Sequence, residues 1–114
     1  MEKLGKDLVA ASAVPIILSI LSDRESYGYQ IIKNVSDLSD NKMNWKEGTL
    51  YPLLGKMEKR GLIRSEWRTT GDNRKRKYYR IEQLGRDELE MEMEQWKLVF
   101  TTLIKAFEMP SNLP

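Results

Sequence analysis

A mainly α-helical domain of α+β type is predicted by three features of this sequence. A short amphipathic helix carries lysines on the face opposite its apolar stripe. A glycine stop follows, and then two strand-like segments flank the basic run Arg74-Lys75-Arg76-Lys77. The chain closes with a long helix whose apolar residues keep a heptad spacing. A helix that fits a DNA major groove, beside a basic β-finger, is the arrangement of a winged helix-turn-helix. Here that unit is prolonged by a C-terminal helix suited to dimerisation.

The first helix is predicted over residues 4–22, where Leu8, Ala11, Val14, Ile17, Leu18 and Leu21 recur at helical spacing. Pro15 lies inside it and offers no amide to the carbonyl of Ala11, so a kink or a late helix start is expected there. Ser26 is a candidate cap for a second helix over residues 27–38, which would bury Ile31, Ile32 and Val35. Asn44 and Glu47 have the spacing of a capping box for the third helix. That helix would bury Leu50, Leu53, Leu54 and Met57 and expose Lys46, Thr49, Pro52, Lys56 and Lys59. Gly61 would end it.

Residues 62–68 and 77–81 alternate as strands, and the turn formers between them predict an antiparallel hairpin with Ile63, Glu66 and Trp67 facing Tyr78, Tyr79 and Ile81. The basic run is read as the tip of this wing. The last helix, residues 84–108, places Leu89, Met93, Trp96, Phe100, Leu103 and Phe107 on one seam. At about 37 Å it outruns a domain this small, and the excess calls for a partner chain. Three units are expected: residues 1–82 as the DNA-binding domain, 83–109 as the dimerisation helix and 110–114 as a tail.

Composition narrows the function. The 114 residues suffice for one small core, with no room expected for a separate enzyme domain. Cysteine and histidine are both absent, which excludes zinc sites and Ser-His-Asp or Cys-His nucleophiles. No cofactor or metal is expected. There is no apolar run of membrane-spanning length and no secretion signal, so a cytoplasmic protein with no membrane partner is expected. The net charge of +2 is small but unevenly placed. Residues 56–80 hold ten Lys and Arg against three Asp and Glu, whereas residues 82–94 hold one against six. One face is suited to a polyanion and another is kept off it.

The candidate DNA contacts are Tyr29, Lys46, Thr49, Tyr51 and Lys56 on the helices, with Arg74, Lys75, Arg76 and Lys77 on the wing. The first turns of the third helix would meet base edges and the wing would track phosphates. Lys77 pointing back along its strand is the alternative for that residue, and core packing is the alternative for the Tyr27-Gly28-Tyr29 triplet. Large aromatics where two helices cross can leave a flat slot, so Trp96, Val99 and Phe100 are candidate contacts for a planar apolar effector. Simple packing is the competing reading of Trp96. The seam residues Leu89, Met93, Trp96, Phe100, Leu103 and Phe107 are the candidate dimer contacts.

Taken in order, Tyr27-Gly28-Tyr29-Gln30-Ile31, Gly48-Thr49-Leu50-Tyr51-Pro52, Leu62-Ile63 and Lys77-Tyr78-Tyr79-Arg80 make the chain resemble PadR-family transcriptional regulators. The resemblance covers about residues 15–89. The single long last helix bearing Trp96 is similar to the short subfamily that includes multidrug-sensing repressors. What the resemblance implies is a homodimer formed by the last and first helices, which adds Leu8 to the interface. It also implies DNA facing Thr49 and Tyr51, and aromatic drugs stacked between paired tryptophans at position 96. Glu82 stands where the family often has a Thr cap, and Glu is a poor cap. The function expected is sequence-specific DNA binding by a repressor of two-fold operators, relieved by a small aromatic or apolar effector. A winged-helix protein-interaction module without operator specificity is the alternative.

Overall fold

The computed structural model describes residues 4–109; the tail at residues 110–114 lies outside them. The elements run α1 (Lys6–Asp23), β1 (Ser26–Tyr27), α2 (Gly28–Leu38), α3 (Glu47–Lys59), β2 (Ile63–Thr69), β3 (Lys75–Ile81) and α4 (Gln83–Phe107). The three strands form one antiparallel sheet in the order β1-β3-β2. The chain is a mainly helical α+β winged helix with a long C-terminal helix.

The core lies where α1, α2 and α3 meet the sheet. Ile17 and Leu18, Ile31 and Val35, and Leu50, Leu54 and Met57 are fully enclosed with Leu62, Ile63 and Tyr79. These follow the periodicities of the sequence. Leu53 and Ile32 are only partly buried and pack on the core's margin. Pro15 neither delays nor splits α1, which starts at Lys6 and runs unbroken through it.

Gly61 ends α3 as expected. It takes φ +78°, the amide of Leu62 donates to the Met57 carbonyl (3.1 Å) and the amide of Gly61 to that of Glu58 (3.0 Å). This is a Schellman stop, which a residue with a Cβ forms at a cost.

Four local expectations are corrected. Ser26 does not cap α2; it is buried in β1 opposite Tyr79, and Tyr27 is the N-cap. The Asn44–Glu47 capping box does not form, because Asn44 is used by the preceding loop. Its amide donates to the Asn41 carbonyl (2.9 Å), its Oδ1 accepts from Ser36 (3.3 Å), and Lys46 becomes the N-cap of α3. Across the wing Ile63 does face Ile81 and Glu66 faces Tyr78, but Trp67 faces Lys77 and Ser65 faces Tyr79.

The fourth concerns the wing tip, which is Thr70-Gly71-Asp72-Asn73 rather than the basic run. Asn73 adopts φ 62°, its amide donates to the Thr70 carbonyl (2.9 Å), and Asp72 Oδ1 accepts from the amide of Arg74 (3.3 Å). The turn therefore closes before Arg74, and Lys75, Arg76 and Lys77 open β3.

In α4 only Gly85 and Leu89 are buried. Leu89 is 8% exposed and belongs to its own chain's core. Beyond it most of the seam is bare: Met93 and Leu103 are exposed, Phe100 is 64% exposed and Phe107 79%, with Trp96 half-buried between them. Leu8 on α1 is exposed as well. No helix among the described residues is long and apolar enough to cross a membrane.

Candidate nucleic-acid interface

The strand register sorts the wing into two faces, because alternate side chains leave a strand on opposite sides. One face carries Arg68 and Arg76, which are cross-strand partners, with Glu66 and Tyr78. Like charges placed opposite one another repel, and here both are compensated. Arg68 is bonded to Glu66 and bidentately to Glu25, with Nη2 2.9 Å from Glu25 Oε2. Those hydrogen bonds raise the Arg68 pKa, and the Arg68 bond lowers that of Glu25.

Arg76 reaches Asp72 Oδ2 (3.0 Å) and donates to Thr70 Oγ1 (2.9 Å). The Asp72 carboxyl is held below its usual value, first by Thr70 and further by the Arg74 amide and Arg76. Both guanidinium groups also lie over aromatic rings, Arg68 4.8 Å from the centre of Tyr78 and Arg76 4.7 Å from that of Tyr27. The two rings meet edge to face at 5.4 Å. This Arg-Tyr-Tyr-Arg stack braces the wing against the start of α2. Arg76, expected to contact DNA, is thus engaged within the protein.

The other face carries Ser65, Trp67, Thr69, Lys75, Lys77 and Tyr79 and turns toward α3. Ser65 Oγ donates to Glu58 of α3 (2.8 Å), which ties the helix to the wing. Between them runs an open groove of about 930 Å³. It brings together Tyr29, Tyr51, Arg74, Lys75 and Lys77 of the expected contacts, with Arg76 at its border. Lys46, Thr49 and Lys56 do not line it; they stand exposed along the outer face of α3. The groove also holds Trp67, Tyr79, Glu47 and Glu58, which sequence reasoning did not assign to the site. The alternation of the β2 sequence about Trp67 was the available signal for that residue.

The Tyr27-Gly28-Tyr29 triplet divides three tasks. Tyr27 sits in the wing brace and Tyr29 opens into the groove. Gly28 gives room to Tyr51, since a Cβ on Gly28 would lie 2.6 Å from the Tyr51 ring carbon Cζ. Burial, with a smaller contribution from Glu47, raises the Tyr51 pKa. Tyr79 is pushed up to about 12 by burial, then by Tyr51 and Glu58. Both phenols therefore remain neutral hydrogen-bond donors at physiological pH.

A separate hollow, about 430 Å³ and almost wholly apolar, lies between α1 and α4. Pro15 and Ile16 form one wall, and Met93, Trp96 and Phe100 the other. Trp96 is half-buried there, whereas Val99 is exposed and does not line the hollow.

A helix exposed along its polar face, with a basic wing set beside it, defines a winged-helix DNA-binding protein. Residues 17–91 match the transcriptional regulator PadR-like family. The fold is similar to that of a transcriptional regulator from Clostridium thermocellum (TM-score 0.80, 34% identity, 91% of this chain and 100% of that one). It is equally similar to a PadR-like transcriptional regulator from Bacillus cereus (TM-score 0.81, 30% identity, 92% and 100% covered). An uncharacterized protein of Lysinibacillus sphaericus is 33% identical over 90 residues, 79% of this chain and 83% of its own. The chain belongs to the PadR-like family of transcriptional regulators, which are DNA-binding proteins and not enzymes.

Proposed function

We propose that this regulator is a homodimeric repressor of two-fold operators, with residues 1–82 as its DNA-binding unit and residues 83–109 as its clasp. The observation that carries this reading is the bare seam of α4, where Met93, Phe100, Leu103 and Phe107 lie exposed on a helix whose own core contact ends at Leu89. Soluble chains rarely leave so continuous an apolar strip uncovered. A second α4, with Leu8 of α1 at its margin, would cover it. Each half-site would receive one α3, with half-site centres about 10 bp apart or a multiple of that. Repression would be steric, by occupancy of a promoter.

A mobility shift with the chain's own upstream DNA tests this against a scrambled duplex. Preference for the upstream duplex supports a repressor. Equal affinity for both supports a winged-helix interaction module instead. Within the same assay, Arg74→Ala and Lys75→Ala should weaken both duplexes alike, each lowering the slope of log affinity against log salt by about 1. Thr49→Val should instead change the ranking of operator variants, because Thr49 stands on the exposed first turn of α3.

Gly28→Ala probes the placement of Tyr51. The added methyl displaces the end of an exposed side chain rather than backbone, so the fold should survive. Operator affinity should fall as far as in Tyr51→Ala, and the double variant should lose no more than either single one. Additive losses in that cycle would contradict the placement.

The apolar hollow beside Trp96 suits a planar aromatic effector that shifts the angle between the two DNA-binding units. Such a ligand acts only through unequal affinity for the two dimer shapes. Release of the operator by planar aromatic compounds in wild type, and not in Trp96→Ala, is its test.

A further inference from the structure

Trp67 stands in the groove with 67% of its surface exposed and takes no part in the core. Its position runs against the needs of its strand. β2 is an edge strand, with β3 on one side only. Exposed edges are ordinarily kept charged and free of large apolar side chains. On its outer face β2 follows that pattern with Arg64, Glu66 and Arg68, while the groove face of the same strand bears the indole.

Resting on the DNA-binding reading of the groove, the geometry points to Trp67 as a DNA contact: its indole packs against the deoxyribose wall of the duplex while Lys75 and Lys77 of the same face hold the adjoining phosphates. The Lys77 ammonium lies 6.0 Å from the Trp67 ring and 5.9 Å from that of Tyr79, so one cation of the groove face neighbours both rings. The neighbouring cations identify the surface it meets as polyanionic, and the indole supplies the apolar contact that lysines cannot. Sugars are alike at every position of a duplex, so the contact adds affinity without reading sequence.

The experiment measures affinity of the full chain for its upstream duplex and a scrambled one across a series of salt concentrations. Trp67→Ala should weaken both about tenfold, the order of loss expected when a large apolar side chain is withdrawn from a buried contact. Its salt slope should stay that of wild type, because no phosphate contact is lost. Trp67→Phe should recover most of the affinity, and Lys77→Ala should flatten the slope by about 1. Unchanged affinity in Trp67→Ala, with wild type binding normally, overturns this contact and leaves the DNA-binding reading intact. A loss accompanied by a flatter slope also overturns it, since Trp67 would then only prop Lys77. Failure of wild type to bind any duplex refutes the groove reading and this contact together.

Discussion

Glutamate at both Phe100 and Phe107 is expected to yield a folded monomer that binds the operator about a hundredfold more weakly than wild type. Both side chains are largely exposed in the single chain, so neither change removes a core contact. In a clasped pair the same positions would be enclosed. Two carboxylates per chain would then be desolvated without partners, at a cost of several kcal/mol. Dimerisation would fail first, and operator affinity would follow because the second half-site is bound as an intramolecular event. Sedimentation shows the monomer, circular dichroism shows the retained helices, and a duplex titration shows the lost affinity. A variant that remains dimeric would place the interface elsewhere.

Gly85→Ala should destabilise the protein by about 2–3 kcal/mol. Two effects oppose each other. Alanine favours a helix over glycine by about 1 kcal/mol. Against this, a Cβ at position 85 would lie 2.8 Å from Ile81 Cγ1 and 3.1 Å from the Leu62 carbonyl carbon, with the carbonyl oxygen nearer still. That oxygen belongs to backbone and already accepts from the Glu82 amide at 2.9 Å, so moving it disturbs that hydrogen bond. The clash wins, α4 must lift off the Leu62 turn that precedes β2, and Leu89 is drawn from the core. Gly55→Ala is the internal control. Nothing lies within 4 Å of its Cβ position, so the same substitution in α3 should stabilise by up to about 1 kcal/mol. Urea denaturation midpoints of the two variants should move in opposite directions.

The same contrast shows what the sequence could disclose. Helices α1 to α4 and the hairpin were legible because each repeats its own period, and Gly61 because a glycine after an amphipathic run is a local signal. Gly85 and Gly28 look like ordinary glycines until α4 meets the Leu62 carbonyl and Tyr51 meets α2. β1 has two residues and exists only through its pairing with β3, so no local pattern announces it. Asn44 could serve as a cap or as a loop residue, and Ser36 and Asn41 decided that competition. Glu82 behaves as its chemistry implied. It makes no side-chain cap, and Arg64 Nε stands 3.2 Å from its Oε1 without the alignment of a hydrogen bond.

At the site, the basic run was visible but its division was not. Alternation along β3 sends Lys75 and Lys77 into the groove and Arg76 into the brace with Asp72 and Tyr27. Only the position of the turn, set by Asp72 and Asn73, fixes that phase.

In the function proposed, two chains of 13.4 kDa grip one duplex through paired α3 helices and wings. The mass of the complex formed with a single upstream operator fragment, measured by sedimentation equilibrium at micromolar protein, tests this most directly. Two chains per duplex, already paired before DNA is added, is the predicted result. One chain per duplex, or a protein that stays single in the presence of DNA it binds, would contradict it.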